Sequence, residues 1–411
     1  MACSTRARGL QLAKQVQRLT DLLIAEWEQH DEEHAPFEAP RWNEVTTELE
    51  DATDELLNVV IGPRVFFRQF QLRHFDLVAF QVAFEFHLFD HVPTSGDISL
   101  SKLAQLAGLD EDRLGRIMRL LVVHGVFGEP EENMFTHTPR SELMAKDRAF
   151  QSSVACQMDE MYQAASSTSD ALRKEPYKQS VDVTGFSARF GMSIYEFYKT
   201  DSRRAERFGR AMEGSTAFDA ESMESLRDCY DWGAFENGTI VDVGGGAGHV
   251  SLFLAKHFPR LSFIVQDLFP PPTLDSGNKL ATNVQFQQHN FFESQPVTTA
   301  QAYFMKHSLH NHSDSDCIKI LQCLVPALES AGPNTPLLIN EGVVPAVGEA
   351  MPRHQELTLR RGDMCMLVTL SGKERTRLQF QQLLSAADRR LEITNIYGTA
   401  VTKLIEVRLR F

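Results

Sequence analysis

The chain has 411 residues, 43% of them hydrophobic, with 55 acidic against 41 basic side chains and a net charge of −14. That length provides for two domains, or one with an extension, around a sizeable core. The acidic balance argues against nucleic acid or an anionic membrane as main partner. Six scattered cysteines with no Cys-x-x-Cys pair argue against a disulfide framework or zinc site and for a reducing compartment.

The N-terminus, MACSTRARGLQLAKQVQRL, lacks the apolar run of a signal peptide, and no stretch reaches the ~18 apolar residues of a membrane helix. A soluble, cytoplasmic protein is expected. Residues 10–62 read as helical, with Leu12, Val16, Leu19 and Leu23 at three- and four-residue steps. The stretch DEEHAPFEA, residues 31–39, is the expected loop before a second helix, WNEVTTELEDATDELLNVV. These helices are either surface caps on a core or an arm that wraps a partner subunit.

Residues 98–148 carry two short helices, LSKLAQLAGL and DEDRLGRIMRLLVVHG, then the hairpin pattern VFGEPEENMFTHT. Leu114, Ile117, Leu120 and Leu121 line one face of the second helix. The order is that of a winged helix, whose second helix enters the major groove in DNA-binding proteins. Arg113, Arg116 and Arg119 would suit that, but Asp110, Glu111 and Asp112 open the helix and Glu129, Glu131 and Glu132 make the wing acidic. Docking or dimerisation is the favoured role.

Residues 149–235 read as mostly helical. From 239 onward, apolar runs alternate with amphipathic stretches, as in a parallel sheet with crossover helices. Strands are expected at 239–243, 261–266, 284–288, 301–306 and 336–340, the last ending at Glu341. LEITNIYG and KLIEVRLRF should add an antiparallel edge. The expected fold is α/β: a Rossmann-like, mostly parallel sheet with an antiparallel C-terminal edge, behind an N-terminal helical and winged-helix domain. The expected boundaries are 1–150 for the arm and winged helix, 151–235 for a helical linker contributing to a substrate pocket, and 236–411 for the catalytic domain.

The loop DVGGGAGHV follows the first of these strands. Gly244, Gly246 and Gly248 space as G-x-G-x-G. His249 breaks the dinucleotide fingerprint G-x-G-x-x-G, and no Gly-Lys-Ser/Thr follows for a phosphate loop. A backbone remains that can turn tightly and approach a ligand closely. Asp267 ends the second strand, 19 residues after Gly248. A carboxylate there can accept both hydroxyls of a ribose, which suits an adenosine without phosphates. At the end of the third strand, Asn290 can bond an adenine edge and Phe291 can offer a stacking face. Taken alone, Phe291 and Phe292 serve equally well as core.

The motif VDVGGGAGHVSLFLAKHFPRLSFIVQDL, with AYFMKHSLHNHSDSDCIKIL and GKERT, resembles S-adenosylmethionine-dependent O-methyltransferases of the plant caffeate and fungal secondary-metabolite type. The resemblance spans nearly the whole chain. It implies S-adenosylmethionine as cofactor, held by Gly244, Asp267, Asn290, Phe291 and Lys306, and a winged-helix domain that dimerises and lines the substrate pocket. It also implies that His310 deprotonates a substrate hydroxyl while Glu341 and Glu374 flank and orient its ring. The family reads His-Asp-Trp where this chain reads His310-Asn311-His312.

The chemistry accounts for such a set. A phenolate attacks a sulfonium methyl far faster than a phenol, and a base within hydrogen-bond reach can take the proton as the methyl moves. A carboxylate on the other ring nitrogen fixes the tautomer. His307, His310 and His312 crowd one loop, but no Cys or acid sits at ligand spacing beside them, so no metal is expected. Phe208, Met212, Met364 and Met366 are candidate linings for a flat aromatic or polyketide acceptor. Two rivals stand beside methyl transfer. One is a related scaffold that binds the cofactor and catalyses a dehydration or pericyclic reaction instead. The other is a winged-helix regulator with a cofactor-sensing domain.

Overall fold

The structure, a computed structural model, describes residues 5–29, 39–218, 220–268, 283–399 and 401–411. Helices Thr5–Trp27 and Pro40–Val60 pack on each other through Leu19, Val45 and Ala52. Trp27 meets Trp42 edge-on at 5.4 Å. Apart from Ala39, the loop expected between them lies outside the described residues. From the second helix, Asp51 accepts the backbone N–H of His354 at 2.7 Å and meets its ring Nδ1 at 3.1 Å. The helix Arg353–Thr369 has no side-chain cap from its own N-cap residue, Pro352. Asp51 therefore satisfies from afar one of the amide donors that every helix start leaves unpaired.

Helices Pro63–Phe70 and Arg73–Glu85 lie outside the elements expected from sequence. The first buries nothing: Phe66, Phe67 and Phe70 are 42%, 66% and 56% exposed.

The winged helix forms as expected. Ser99 caps the helix Leu100–Ala107, Gly108 ends it in the left-handed region, and Asp110 caps Glu111–Val123 through the amide of Arg113. Strands β1 (Ile98–Ser99), β2 (Phe127–Glu131) and β3 (Met134–His137) pair antiparallel in the order β1-β3-β2. Leu103, Leu114, Met118, Leu121, Phe127 and Phe135 close the core beneath them. On the outer side Arg119 is paired to Glu129 at 3.0 Å and to Asn133 at 2.7 Å. That basic side chain is already neutralised by the wing.

The helical segment that follows contains a π turn, Gln157–Met161. The wider turn directs Asp159 and Glu160 inward. Both pair with Arg204 and Arg207 of the helix Ser202–Phe218, at 2.5–3.0 Å.

The main sheet comprises β4 (Thr239–Val243), β5 (Ser262–Asp267), β6 (Val284–Gln288), β7 (Ala302–Lys306), β8 (Leu337–Val344), β9 (Arg375–Thr376), β10 (Leu391–Tyr397) and β11 (Thr402–Leu409). Its order is β10-β11-β8-β7-β4-β5-β6, with β9 beside the end of β8. Strands β4 to β8 run parallel, while β11 and β10 make the antiparallel edge. From β4 the chain builds outward to β5 and β6, then returns to β7 on the other flank. The switch point therefore falls between β4 and β7, where the strand ends leave a crevice for ligands.

One expectation needs correction. The strand expected to stop at 340 continues to Val344. Glu341 is an interior residue of β8, paired with Lys403 of β11, and not the first residue of a loop. Continuing the strand lets β9 add to it, through Val343 opposite Arg375.

Candidate active site

The carboxyl ends of β4, β5, β6, β7 and β8 gather the predicted residues along one edge. At the end of β4, Gly244, Gly246 and Gly248 have φ of 75°, 56° and 77°. These are left-handed conformations that only glycine adopts without strain. Two of the three are also crowded where a side chain would begin. A Cβ on Gly244 would lie 3.1 Å from Ser308 Oγ and 3.2 Å from the Phe291 ring, and one on Gly248 2.9 Å from the Phe286 ring. At Gly246 a Cβ would meet nothing. The amide of Gly246 donates to Asp267 Oδ2 at 3.0 Å, so the acid ending β5 is tied to the middle of the glycine turn. Beneath the turn lies Asp242, wholly buried. Burial pushes its carboxyl up to about 6 despite a hydrogen bond from Ser251 at 2.6 Å.

After β6, Asn290 Oδ1 accepts the amide of Phe292 at 3.1 Å. Its oxygen thus shapes its own turn, and its amide nitrogen directs one N–H to Glu293 Oε1 at 3.4 Å and keeps the other for a ligand. Phe291 faces the glycine turn, and His312 packs edge-on against Phe291 and Phe292 at 5.5 and 5.6 Å. Lys306 ends β7 with its Nζ 3.5 Å from Met223 Sδ.

The donor set can be tested for fit to S-adenosylmethionine. A nucleoside without phosphates requires a carboxylate for its ribose, an aromatic face, an amide at the base edge and a backbone it can approach closely. Asp267, Phe291, Asn290 and the glycine turn supply these on neighbouring strand ends. Among the described residues, no cluster of arginines and lysines gathers there as phosphates would demand. The residues fit.

One strand over, the chain leaves β7 through His307 and makes a short 3-10 turn, Leu309–Asn311. Glu341, fully buried, reaches into that turn. Its Oε1 accepts the amides of Ser308 at 2.9 Å, Leu309 at 2.8 Å and His310 at 3.4 Å. The carboxylate thus holds the backbone that carries His310, and its other oxygen lies 3.7 Å from His310 Nδ1. Glu374 makes the direct contact with the ring, at 2.7 Å from Nδ1.

Electrostatics follow from this packing. Burial pushes the imidazole of His310 down, but the Glu341 charge and the Glu374 hydrogen bond outweigh it and hold the ring above its ordinary value of 6.5. Burial raises the carboxyl of Glu341, against the opposing pull of His310. One oxygen of each acid, Glu341 Oε2 and Glu374 Oε2, is buried without a hydrogen-bond partner. An imidazolium beside them would compensate that cost.

Sequence reasoning missed two residues that hold this arrangement. Arg375, 1% exposed, donates to the carbonyls of Leu309 and His312 at 3.0 Å each and to Asp314 at 2.8 Å. It staples the turn bearing His310 to the segment bearing Glu374. Asp363 accepts the amide of Glu374 at 2.9 Å, tying that segment to the helix Arg353–Thr369. The place of Arg375 next to Glu374 was the available signal for the first. Asp363 had none, being 11 residues from its partner in a helix.

The acceptor-side candidates are more dispersed. Phe208 stacks on Tyr198 at 4.3 Å and joins a cluster with Met161, Phe186 and Val368. Met212 and Met364 are 46% and 52% exposed. Met364 and Met366 stand on either side of Cys365 in the helix that also carries Asp363.

Sequence comparison resolves the family. The O-methyltransferase domain matches residues 169–389, and the O-methyltransferase dimerisation domain matches residues 69–147. O-methyltransferase sol2 of Alternaria solani is 37% identical over 378 residues, covering 91% of this chain and 87% of that protein. This chain belongs to the O-methyltransferase family. A chlorophenol O-methyltransferase of Trichoderma longibrachiatum is 30% identical, over 84% of this chain and 75% of the relative. Among solved structures, OxaC superposes with a TM-score of 0.77 at 21% identity, over 99% of this chain and 100% of the other. An enzyme described as a pericyclic reaction enzyme superposes at 0.73 with 20% identity, over 97% and 100%. At such identities both likenesses speak to fold alone.

The O-methyltransferase uses S-adenosylmethionine, as the motifs implied, and its N-terminal half carries the family's dimerisation domain. No helix among the described residues is long and apolar enough to cross a membrane.

Proposed function

We propose that this O-methyltransferase methylates a phenolic hydroxyl of a small aromatic or polyketide secondary metabolite, with His310 as the general base. One observation carries the reading. His310 Nδ1 is engaged by Glu374 at 2.7 Å, while Nε2 has no hydrogen-bond partner among the described residues. A neutral imidazole bonded to a carboxylate through Nδ1 must place its proton there, leaving the Nε2 lone pair to accept one.

The glycine turn at Gly244, Gly246 and Gly248, with Asp267, Asn290, Phe291 and Lys306, would hold S-adenosylmethionine, which supplies an electrophilic methyl group on a sulfonium centre. The acceptor hydroxyl donates to His310 Nε2. His310 Nε2 would take the hydroxyl proton as the methyl group leaves sulfur for the oxygen, giving an imidazolium, the methyl ether and S-adenosylhomocysteine. Glu374 keeps Nδ1–H oriented, and the charge of Glu341 favours the protonated ring. A phenol has an ordinary pKa of about 10 against about 6.5 for imidazole, so proton and methyl should move together.

The same donor atoms invite a metal reading, since ligand atoms of His310, Glu341 and Glu374 lie within 4.8 Å of one another. The acid–base reading is preferred because Nδ1 at 2.7 Å from a carboxylate oxygen requires a proton between them, and Glu341 Oε1 is already occupied by three amides. His307 and His310 do not chelate together. Their rings lie nearly parallel, 17° apart, so their lone pairs do not converge.

The acceptor class rests on the apolar and sulfur-bearing side chains of Phe208, Met212, Met364 and Met366, and on a relative that takes a chlorophenol. The proposed assembly is a homodimer formed through the N-terminal half, where the exposed phenylalanines of Pro63–Phe70 adjoin the dimerisation domain. The free thiols Cys156 and Cys317 suit the cytoplasm.

The test is incubation of the purified protein with S-adenosylmethionine and a panel of phenols that includes a chlorophenol. Formation of S-adenosylhomocysteine in step with the mass gain of a methyl ether supports the assignment. Loss of a substrate without S-adenosylhomocysteine would replace it with the dehydration or pericyclic alternative.

A further inference from the structure

We propose that His307 is a positioning residue for the general base: its ring backs the ring of His310 and restricts the direction in which Nε2 points. The proposal rests on His310 being the base.

Five observations converge on it. The two rings are stacked, with centroids 5.2 Å apart and planes 17° from parallel. The backbone of His307 sits at φ 47°, in the left-handed region that side-chain-bearing residues rarely enter. Strain of that kind persists only where the surroundings over-determine it, and it gathers at functional sites. Here three contacts do so. The His307 amide donates to the carbonyl of Asn340 at 3.1 Å, Asn311 Nδ2 donates to the His307 carbonyl at 3.0 Å, and the ring Nε2 meets Thr402 Oγ1 at 3.4 Å. Asn311 stands where the family has Asp. An amide can donate to that carbonyl and a carboxylate cannot, so the departure and the strained turn belong to one device.

The charge state of His307 agrees with this role. Burial holds its imidazole well below the ordinary value, and the neighbouring His310 and Lys306 push it the same way. His307 therefore stays neutral while His310 cycles. Facing His310 are Glu341, Glu374, Arg375 and the neutral rings of His307 and His312. A neutral ring tolerates both the imidazole and the imidazolium, whereas a second charged ring would repel the latter.

Edge contacts alone fix His310 at Nδ1. A ring held at one nitrogen can still tilt about that bond, and a flat wall behind it removes the tilt. His307 should therefore contribute to turnover and not to cofactor binding.

The experiment uses the full-length protein, its 13C-histidine-labelled form, and the phenol of the panel that the wild-type protein methylates fastest. His307→Gly suits the backbone at φ 47° and deletes only the ring, so it separates the wall from the turn. His307→Phe keeps a flat face. His307→Gly should lower kcat about 10-fold or more, with KM for S-adenosylmethionine within about twofold of wild type, and His307→Phe should recover kcat to within about threefold. Opening the back of His310 to water should raise the midpoint of its carbon-13 titration in His307→Gly and leave it in place in His307→Phe. A wild-type kcat in His307→Gly, a His307→Phe as slow as His307→Gly, or an unmoved midpoint in His307→Gly would each overturn the proposal. His310→Ala separates this from failure of the underlying reading. If that variant still transfers methyl at the wild-type rate, His310 is not the base. If it is inactive while His307→Gly is fully active, only the role of His307 falls.

Discussion

The turn after β4 and the turn after β7 sit on adjacent strands at the same edge of the sheet, yet they are built by opposite means. The first is shaped by the absence of side chains. Three glycines at positive φ leave the backbone open to close approach, and one carboxylate, Asp267, is tied in through the Gly246 amide. The second is shaped by side chains arriving from elsewhere. Glu341 from β8, Glu374 from the segment before β9 and Arg375 beside it fix a turn that has little intrinsic order of its own. A binding surface needs accessible backbone. A proton-transfer group needs a fixed ring and a controlled charge, and in this site both come from buried carboxylates.

If the division is real, the two turns should fail differently. His310→Ala should lower kcat about 10²- to 10⁴-fold while leaving S-adenosylmethionine affinity unchanged by calorimetry. A parallel loss of affinity would erase the distinction. Asp267→Ala should do the reverse, weakening cofactor binding by roughly 1.5–3 kcal/mol, the range for a charge-assisted hydrogen bond left unmade. An unchanged titration would remove Asp267 from the cofactor site.

A pH profile sharpens the comparison. The base form of His310 exists only above its pKa, which its acids hold above 6.5. Activity should therefore disappear as pH falls through a point higher than that of a free imidazole. Glu374→Ala removes a contribution that raises the value, so the acid limb of kcat should move to lower pH, with kcat itself down about 10-fold through lost orientation. A limb that stays in place would mean that Glu341 alone sets the charge of the ring. The smallest effect should come from outside both turns. Asp51→Ala removes the cap on the helix Arg353–Thr369 and should cost about 0.5–2 kcal/mol in denaturant melts. No loss at all would mean that solvent caps the helix equally well.

The same contrast explains what could be read from the sequence. Glycine spacing is local, so Gly244 to Gly248, the strand before them and Asp267 at the end of the next strand all stood out. The mostly parallel sheet followed from the alternation of its strands with amphipathic stretches. The set around His310 was legible only through the family motifs, because Glu341 and Glu374 lie 31 and 64 residues from it. The division of labour between those acids was not legible at all. It depends on β8 continuing past 340, which the polar Asn340-Glu341-Gly342 stretch disguised. The helix Pro63–Phe70 escaped because its phenylalanines face outward. A rule that places apolar residues inside has nothing to say about a helix that buries none of them.

The depth of Glu341 within β8 also governs which insertions this enzyme can tolerate. A strand paired on both sides fixes its residues by register, and a slip of one position turns every side chain to the opposite face. A single insertion or deletion between Leu337 and Glu341 would swing the carboxylate away from the turn that it holds. The bend at residues 345–352 carries no such constraint, because β8 has already ended. Natural variation in length among close relatives should therefore collect in that bend and spare the stretch Leu337–Glu341.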